Sequence, residues 1–478
     1  MRRGSVLDAW CGSAARYEVA RLITEGGFEA YAVGGAVRDA LMGRDPHDWD
    51  LLAPQAARLA RHLAAHLRAT LVTLHPDPPT FRLVFDPHGE AREEIDLCAP
   101  RGASLREDLL ARDFTINSIA WRIGTDEEAI LDPAEGAADI KARVVRANSL
   151  DVLRRDPLRC LRAFRLAAEL RFSIEPETME WIVGAAEGVE KVAGERLGTE
   201  FVRLVAQPGL AYWLQQVDSA GVLERFLPEF PLLKGVEQGG YHHLDVWGHT
   251  LLVVDDLECI LNGPESVFPT SADMVGEYCA NAQRVLRLKL AALFHDIAKP
   301  QSRAIVEGRV RFIGHETLGM AMVTDIAGRL HLPRDVRHTL SALTHWHMRP
   351  IMLVDQTSEP SVSAVRRLLR DCDPDGVGVV VLAAADLLAC RGPATDPAEQ
   401  WQRLRTLDHM LADYRDWSRG QQFQPLLRGR DLVQELGLEP GPQFSVLLNA
   451  IEQAQLEGTV RTREEALEMA RRLLRDGI

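Results

Sequence analysis

Residues 34–50 read GGAVRDALMGRDPHDWD, and the order of parts in this stretch decides the architecture around it. A short apolar run, Ala30 to Val33, precedes two glycines; a helical stretch bearing Arg38 and Asp39 follows, and a second strand then carries Asp48 and Asp50. Side chains two apart on a strand point to the same face, so the two carboxylates stand together with Trp49 turned away. Adjacent carboxylates repel unless a cation lies between them. Mg²⁺ suits the pair, because it is hard, prefers oxygen and takes one or two carboxylates plus substrate phosphates. Gly34-Gly35 lets backbone N–H groups approach an anion with no Cβ in the way, and Arg38 lies nearby as a phosphate clamp. Together these parts predict a site that transfers a nucleotide.

At 478 residues the chain has room for about three domains. Hydrophobic residues make up 46% and charged residues 26%, an ordinary globular balance. The seven cysteines are scattered with no C-x-x-C pair, which argues for a reducing compartment and against zinc ribbons or a disulfide frame. No apolar run is long enough to span a membrane, and MRRGSVLDAW lacks the apolar core of a signal peptide. A cytoplasmic protein with no membrane partner is expected. The net charge of −14 describes solubility; holding RNA needs only a local patch. Residues 141–165 offer one, with eight cations against Asp151 and Asp156. A basic cleft is expected there and acidity elsewhere.

Residues 13–25 and 55–69 read as helices, Ala30–Val33 and Trp49–Leu52 as strands. Residues 71–99 hold short β-like pieces (LVTL, FRLVF, EIDLC) broken by prolines and by Asp86-Pro87-His88-Gly89. Beyond Val152 the composition becomes overwhelmingly helical. The expected division is a head at 12–150, a neck with base-recognition and RNA-binding helices at 151–235, a metal-binding helical body at 236–392, and a helical tail at 393–478. Residues 261–275 read as a loop within an insertion at 261–283, 391–399 as a break, and LEPGPQ as a sharp turn between helices. Two metals acting on an attacking hydroxyl and a leaving pyrophosphate need a third carboxylate. Asp96, on a strand that can run beside the D-x-D strand, is the candidate, with Glu94 on the same face as the alternative.

The pattern GG-x-VRD-x-L-x-G-R followed by D-x-D resembles the head of the tRNA nucleotidyltransferase and poly(A) polymerase family, in its bacterial-type (class II) branch. The resemblance runs from about residue 28 to the end. It implies an α+β nucleotidyltransferase head (a mixed β-sheet with helices), then an all-α neck, an HD-type helical body and a helical tail that contacts tRNA. ARDFTINSIAW, residues 111–121, resembles RRDFTINA, with Ala111 where an arginine is usual; it implies that Arg112 and Asp113 meet triphosphate and ribose. LDPAEGAADIKARVVR, residues 131–146, resembles the D-P-x-x-G-x-x-D hinge through Asp132, Gly136 and Asp139. RRDPLRCLRAFRLAAELRF, residues 154–172, resembles the base-recognition helix. Asp156 and Arg159 are thereby implied to read CTP and ATP, with Arg162 and Arg165 reaching the triphosphate. Arg155 replaces the usual Glu. Pro157 fits a first helical turn; Leu158, Leu161 and Phe164 should be buried. GERLGTEFVRLV, residues 194–205, resembles the next helix, E-R-x-x-x-E, a structural buttress.

A second constellation follows the order H…HD…D: His249, His295-Asp296 and Asp386. It resembles HD-domain metal-dependent phosphohydrolases. Imidazole with carboxylate suits Mn, Ni, Fe or Zn better than Mg. His315 and His345 resemble further positions that bind a second metal or phosphate. The expected function is template-independent addition of CCA to tRNA 3′ ends from CTP and ATP, with Mg²⁺ in the head and Mn²⁺, Ni²⁺ or another transition metal at the HD site. Alternatives left open are addition of CC or A alone, which the family decides between Leu71 and Asp96; poly(A) synthesis, disfavoured by the lack of a very basic tail; a main HD activity with the head as sensor; and a non-enzymatic RNA-binding protein, which broken carboxylates would mark.

Overall fold

Strand alternation is clearest in EEIDLC: Ile95 and Leu97 are buried, while Asp96 and Cys98 turn to the other face and stay half-buried. That alternation sets the two sides of the head's sheet. The computed structural model describes residues 14–46, 49–86, 92–124, 130–356, 360–420, 425–439, 441–456 and 459–475. His47 and Asp48 therefore lie outside the described residues. The head contains β1 (Tyr31–Val33), β2 (Asp50–Leu52), β3 (Thr70–Pro76), β4 (Pro79–Phe85), β5 (Glu93–Cys98), β6 (Ala120–Arg122) and β7 (Ile130–Leu131). Their order in the sheet is β3-β4-β5-β2-β1-β6-β7.

All neighbours are antiparallel except β2 and β5, which are parallel with Asp50 opposite Asp96. A parallel pair needs a long crossover. Here the helix Ala56–Leu67 and the β3–β4 hairpin supply it. One sheet face is covered by the helices Ala14–Glu25 and Ala56–Leu67, whose Val19, Leu22, Ile23, Leu59 and Leu63 join Leu51, Leu83, Ile95, Leu97 and Trp121 in one apolar core. On the other face Val33, Leu52 and Ala120 pack with Leu109; Asp50 and Asp96 share that side by alternation.

The chain after the head is helical as expected. Leu158–Leu170 begins on Pro157 and buries Leu158, Leu161 and Phe164. The chain divides into two compact units at Pro228/Glu229. In the second unit the 261–275 stretch corrects the loop expectation. A helix, Ala272–Cys279, occupies its end, and Val267, Phe268 and Val275 are buried. Asp408 accepts hydrogen bonds from the Thr270 and Ser271 N–H groups and the Ser271 hydroxyl, tying the segment to the helix Pro397–Gly420. The Gly263-Pro264 break hid this apolar content from a reading by composition. LEPGPQ does separate two helices, Gly429–Leu436 and Pro442–Leu456, with Gly437 at φ 66°. Among the described residues no helix is long and apolar enough to cross a membrane.

The hinge-like segment is held by contact as well as by hydrogen bonds. Asp132 accepts from the N–H groups of Gly136 and Ala137, and Asp139 accepts from the Thr115 hydroxyl at 2.7 Å. A Cβ on Gly136 would sit 2.1 Å from the Thr115 carbonyl oxygen. Gly136→Ala should therefore destabilise the protein by about 1–3 kcal/mol through overpacking. Gly184→Ala, with nothing within 4 Å of the new methyl, should be neutral or stabilising. Thermal denaturation of the two variants side by side checks this.

Candidate active site and metal centre

A cleft of about 650 Å³ in the first unit gathers most of the residues singled out in the sequence. Gly34 and Gly35 form one wall with Arg38, Asp50, Arg112 and Asp113, and Arg159, Arg162 and Arg165 come from the helix Leu158–Leu170. Gly34 stands at φ 70°, and a Cβ there would lie 3.2 Å from an Arg112 nitrogen and 3.5 Å from Asp50 Oδ2. Only glycine leaves the space between that cation and that carboxylate open. The cleft is not simply basic: seven arginines and six carboxylates line it. The expected basic patch is divided, since Arg146 pairs with Asp139 and Glu175, and Arg155 with Asp151 on the surface.

A continuous chain of hydrogen bonds organises these arginines. Arg38 is buried, pairs with Asp39 at 2.9 Å and donates to Asn117 at 2.8 Å. Asn117 donates to Asp113 at 3.1 Å, and Arg162 donates to the other Asp113 oxygen at 3.2 Å. Arg162 also donates to Glu200 at 2.9 Å, and Arg165 to the second Glu200 oxygen at 3.1 Å. Burial raises the Asp113 pKa, but Arg162, Asn117 and the Phe114 N–H outweigh it and hold the carboxyl below its usual range. Arg159 lies 3.8 Å from Asp156 and donates to the carbonyls of Ala111 and Val152. Asp156 itself is held by Arg196 at 2.8 Å. Asp156 and Asp96 do not line the cleft. Both Asp96 oxygens accept from Arg82, at 2.7 and 2.8 Å, and Glu94 lies 3.2 Å from the same guanidinium.

In the second unit, six residues from distant helices converge. The ligand atoms of His249, His295 and Asp386 lie within 4.8 Å of one another, as do those of Asp296, His315 and His347. His249 Nε2 is 2.9 Å from Asp386 Oδ1, and His295 Nε2 is 3.0 Å from Asp296 Oδ2. His295, His315 and His347 each donate Nδ1–H to the carbonyl three residues earlier, at 2.8, 2.8 and 2.7 Å. That fixes the tautomer and turns each Nε2 lone pair inward. His315 and His347 consequently bring their Nε2 atoms to 3.2 Å. His295 Nε2 is buried and faces two carboxylates, Asp296 at 3.0 Å and Asp386 at 3.9 Å.

Burial lowers the pKa of His249 against the pull of Asp386, and lowers His347 to about 3 with help from His295. Burial also lowers His295, but Asp296 and Asp386 outweigh it and the net shift is upward. Asp296 and Asp386 stay ionised well below the usual carboxylate range: burial opposes this, and His295 with Lys299 for the first, and His249 for the second, outweigh it. Ionised carboxylates and converging imidazole lone pairs are the donor set a divalent cation requires. His345 is not part of this cluster; its ring meets Trp346 edge to face, with centroids 4.4 Å apart. His347, two residues on, joins the cluster instead, because the helix Arg334–Trp346 ends just before it and His347 turns back toward Thr344.

Comparison with known proteins accords with this geometry. Residues 30–146 match the poly A polymerase head domain, 171–233 the probable RNA and SrmB-binding site of polymerase A, 246–389 the HD domain, and 412–470 the putative tRNA nucleotidyltransferase domain 2. A CC-adding tRNA nucleotidyltransferase of Thermus thermophilus is 34% identical over 92% of this chain and 92% of its own. The chain belongs to the tRNA nucleotidyltransferase family. An A-adding tRNA nucleotidyltransferase of Deinococcus radiodurans is 33% identical over 91% of this chain and 94% of its own. Among solved structures, a CCA-adding enzyme in complex with CTP superposes with a TM-score of 0.64 at 19% identity, covering 98% of both chains, and supports the fold. So does a Thermotoga maritima CCA-adding enzyme complexed with tRNA, at 0.62 and 19% over 98% of each.

Several side chains of this nucleotidyltransferase escaped the sequence. Glu200 and Arg196 meet partners 35–40 residues away, Asn117 accepts from Arg38, 79 residues away, and Arg82 meets Asp96 across the β4–β5 pair. Glu200 had a weak signal in E-R-x-x-x-E; Arg82 had none. Glu200 is buried and neutralises two arginines at once. Removing one partner from such a buried network costs about 3–5 kcal/mol. Glu200→Ala should lower stability by that order and raise KM for the nucleotide. Denaturant titration and steady-state kinetics check it, and Glu200→Gln, which keeps the acceptor, should lose less.

Proposed function

We propose that this nucleotidyltransferase rebuilds the CCA end of tRNA from CTP and ATP without a template. The observation that carries the reading is the single cleft in which the Gly34-Gly35 turn and Asp50 meet the arginines of the Leu158–Leu170 helix. Mg²⁺ on Asp48 and Asp50 would activate the attacking 3′-hydroxyl and offset charge on the α-phosphate and the leaving pyrophosphate. Asp96 is the third carboxylate of this reading, and its use requires Arg82 to transfer its two N–H donors from Asp96 to another anion, such as a nucleotide phosphate. Arg112, Arg162 and Arg165 hold the triphosphate, Asp113 accepts from the ribose, and Asp156 with Arg159 reads the base edge. Arg38 holds Asn117 and Asp39 in place at the glycine turn. The tail from 393 contacts the tRNA, and the protein works in the cytoplasm.

A second reading, addition of CC or of A alone, is favoured by the names of the Thermus and Deinococcus relatives. Purified protein incubated with tRNA lacking its 3′ end, with each nucleotide separately and together, decides between them. CCA completion from CTP plus ATP supports the first reading; arrest after CC, or addition of A only to tRNA ending in CC, supports the second. Asp50→Ala, and equally Asp48→Ala, should reduce addition below detection by removing several kcal/mol of transition-state stabilisation. A tRNA gel-shift with the same variants should be nearly unchanged. Residual activity in the double variant would move the catalytic centre elsewhere.

For the HD centre we assign a phosphohydrolase that uses Mn²⁺ or Ni²⁺, with His249, His295 and Asp386 at one ion and Asp296, His315 and His347 at a second. A 2′,3′-cyclic phosphate on a damaged RNA end is a fitting substrate. One water adds, the P–O3′ bond breaks, and a 2′-phosphomonoester and a free 3′-hydroxyl result. Turnover of nucleoside 2′,3′-cyclic phosphates with Ni²⁺ or Mn²⁺ should vanish in His295→Ala and Asp296→Ala, while nucleotide addition continues in both. No turnover with any divalent metal, and no bound metal by elemental analysis, would leave the HD domain a scaffold.

A further inference from the structure

A β-hairpin projects beside the HD centre, formed by Arg303–Val306 and Arg309–Phe312 in antiparallel pairing. Glu307 and Gly308 both have positive φ, 53° and 75°, the conformation of a tight two-residue turn that keeps the ribbon stiff. The hairpin carries three arginines and one acid. In a chain of net charge −14, several arginines of the same unit are matched, among them Arg329 with Glu229, Arg391 with Asp256 and Arg415 with Asp273. Arg303, Arg309 and Arg311 are exposed, and none has an ion pair or a side-chain hydrogen bond among the described residues. Exposed apolar side chains accompany them, with Ile305 68% and Ile313 69% exposed.

The hairpin leads into a cleft of about 500 Å³. His315 and Asp386 of the metal cluster reach the cleft, and Tyr241, Arg311, Phe312 and Met348 line it. That volume suits a single nucleotide-sized ligand. Arg309 and Arg311 are two apart on one strand, so they lie on one face about 6.6–6.8 Å apart, with Arg311 at the cleft and Arg309 further out toward the turn. A row of unmatched guanidinium groups leading away from a one-nucleotide cleft fits a chain of phosphates.

We infer that this hairpin grips the phosphate backbone of single-stranded RNA whose terminal nucleotide enters the HD cleft, so that the HD centre processes polynucleotide ends in preference to free nucleotides. The inference rests on the phosphohydrolase reading for its chemistry, whereas the grip itself is a binding property. The test compares a nucleoside 2′,3′-cyclic phosphate with a short single-stranded RNA ending in the same group, in Mn²⁺ or Ni²⁺. In Arg309→Glu, kcat/KM for the RNA should fall tenfold or more while the nucleoside substrate stays within twofold. In Arg309→Ala, which removes one phosphate contact, the slope of log(kcat/KM) against log salt should shrink by about 0.7. Equal loss on both substrates, or loss on neither, overturns the grip and leaves the phosphohydrolase standing. If the wild type hydrolyses neither, the phosphohydrolase reading fails, and photocrosslinking of 4-thiouridine RNA decides the grip. Crosslinks within 303–313 that disappear in Arg309→Glu uphold it, and their absence in the wild type overturns it.

Discussion

Glu200 divides its two oxygens between Arg162 and Arg165, and the order of the cleft hangs on that division. Three arginines spaced three apart on one helix repel one another, and each alone would sample many rotamers. A buried carboxylate from the helix Gly194–Val205 removes the repulsion and fixes two of them. Arg162 is then free to donate from a second nitrogen to Asp113, which joins the neck helix to the turn at Thr115–Asn117 and, through Asn117, to Arg38 beside the glycines. A cationic wall of this kind stays compact in an acidic protein because every arginine in the sequence of bonds has a defined acceptor.

The HD centre solves the opposite problem. Its imidazoles converge in a buried place, where ionised Asp296 and Asp386 favour protonation of His295. Backbone carbonyls three residues back fix which ring nitrogen carries the proton: for His295 and His347 they lie in the last turns of the helices these residues follow, and for His315 the carbonyl ends the strand Arg309–Phe312. Lys299, 2.6 Å from Asp296, holds part of that negative charge.

What could be read beforehand were the parts written in contiguous residues. GGAVRD, RDPLRCLRAFR and the HD dipeptide each put their chemistry on one tight turn or one helix, and local periodicity is enough to orient them. The Asp50–Asp96 pairing was also within reach, since two alternating strands with a crossover between them have few ways to meet. Arg82, Glu200 and the Arg38–Asn117 bond were not, because those donors and acceptors are brought together only by strand pairing and tertiary packing. LTHWH shows the limit at short range: His345 and His347 differ by two residues at a helix terminus, and which one faces inward depends on where the helix stops. The 261–275 segment failed for a related reason, as a Gly-Pro break says nothing about an anchor 138 residues away at Asp408.

Gly34 carries a consequence for how the sequence can drift. Any single-base change in a glycine codon that alters the residue adds a Cβ. At φ 70° and ψ −136° that atom enters a backbone region essentially reserved for glycine, at a cost of order 1–3 kcal/mol for an L-residue, and at the same time comes within 3.2 Å of Arg112 and 3.5 Å of Asp50. Gly35 has a negative φ and only the flexible end of Arg38 nearby, at 3.5 Å. Two glycines adjacent in the chain are therefore unequal in mutational accessibility: the first is closed to every neighbouring codon by backbone and site together, and the second is constrained by the site alone.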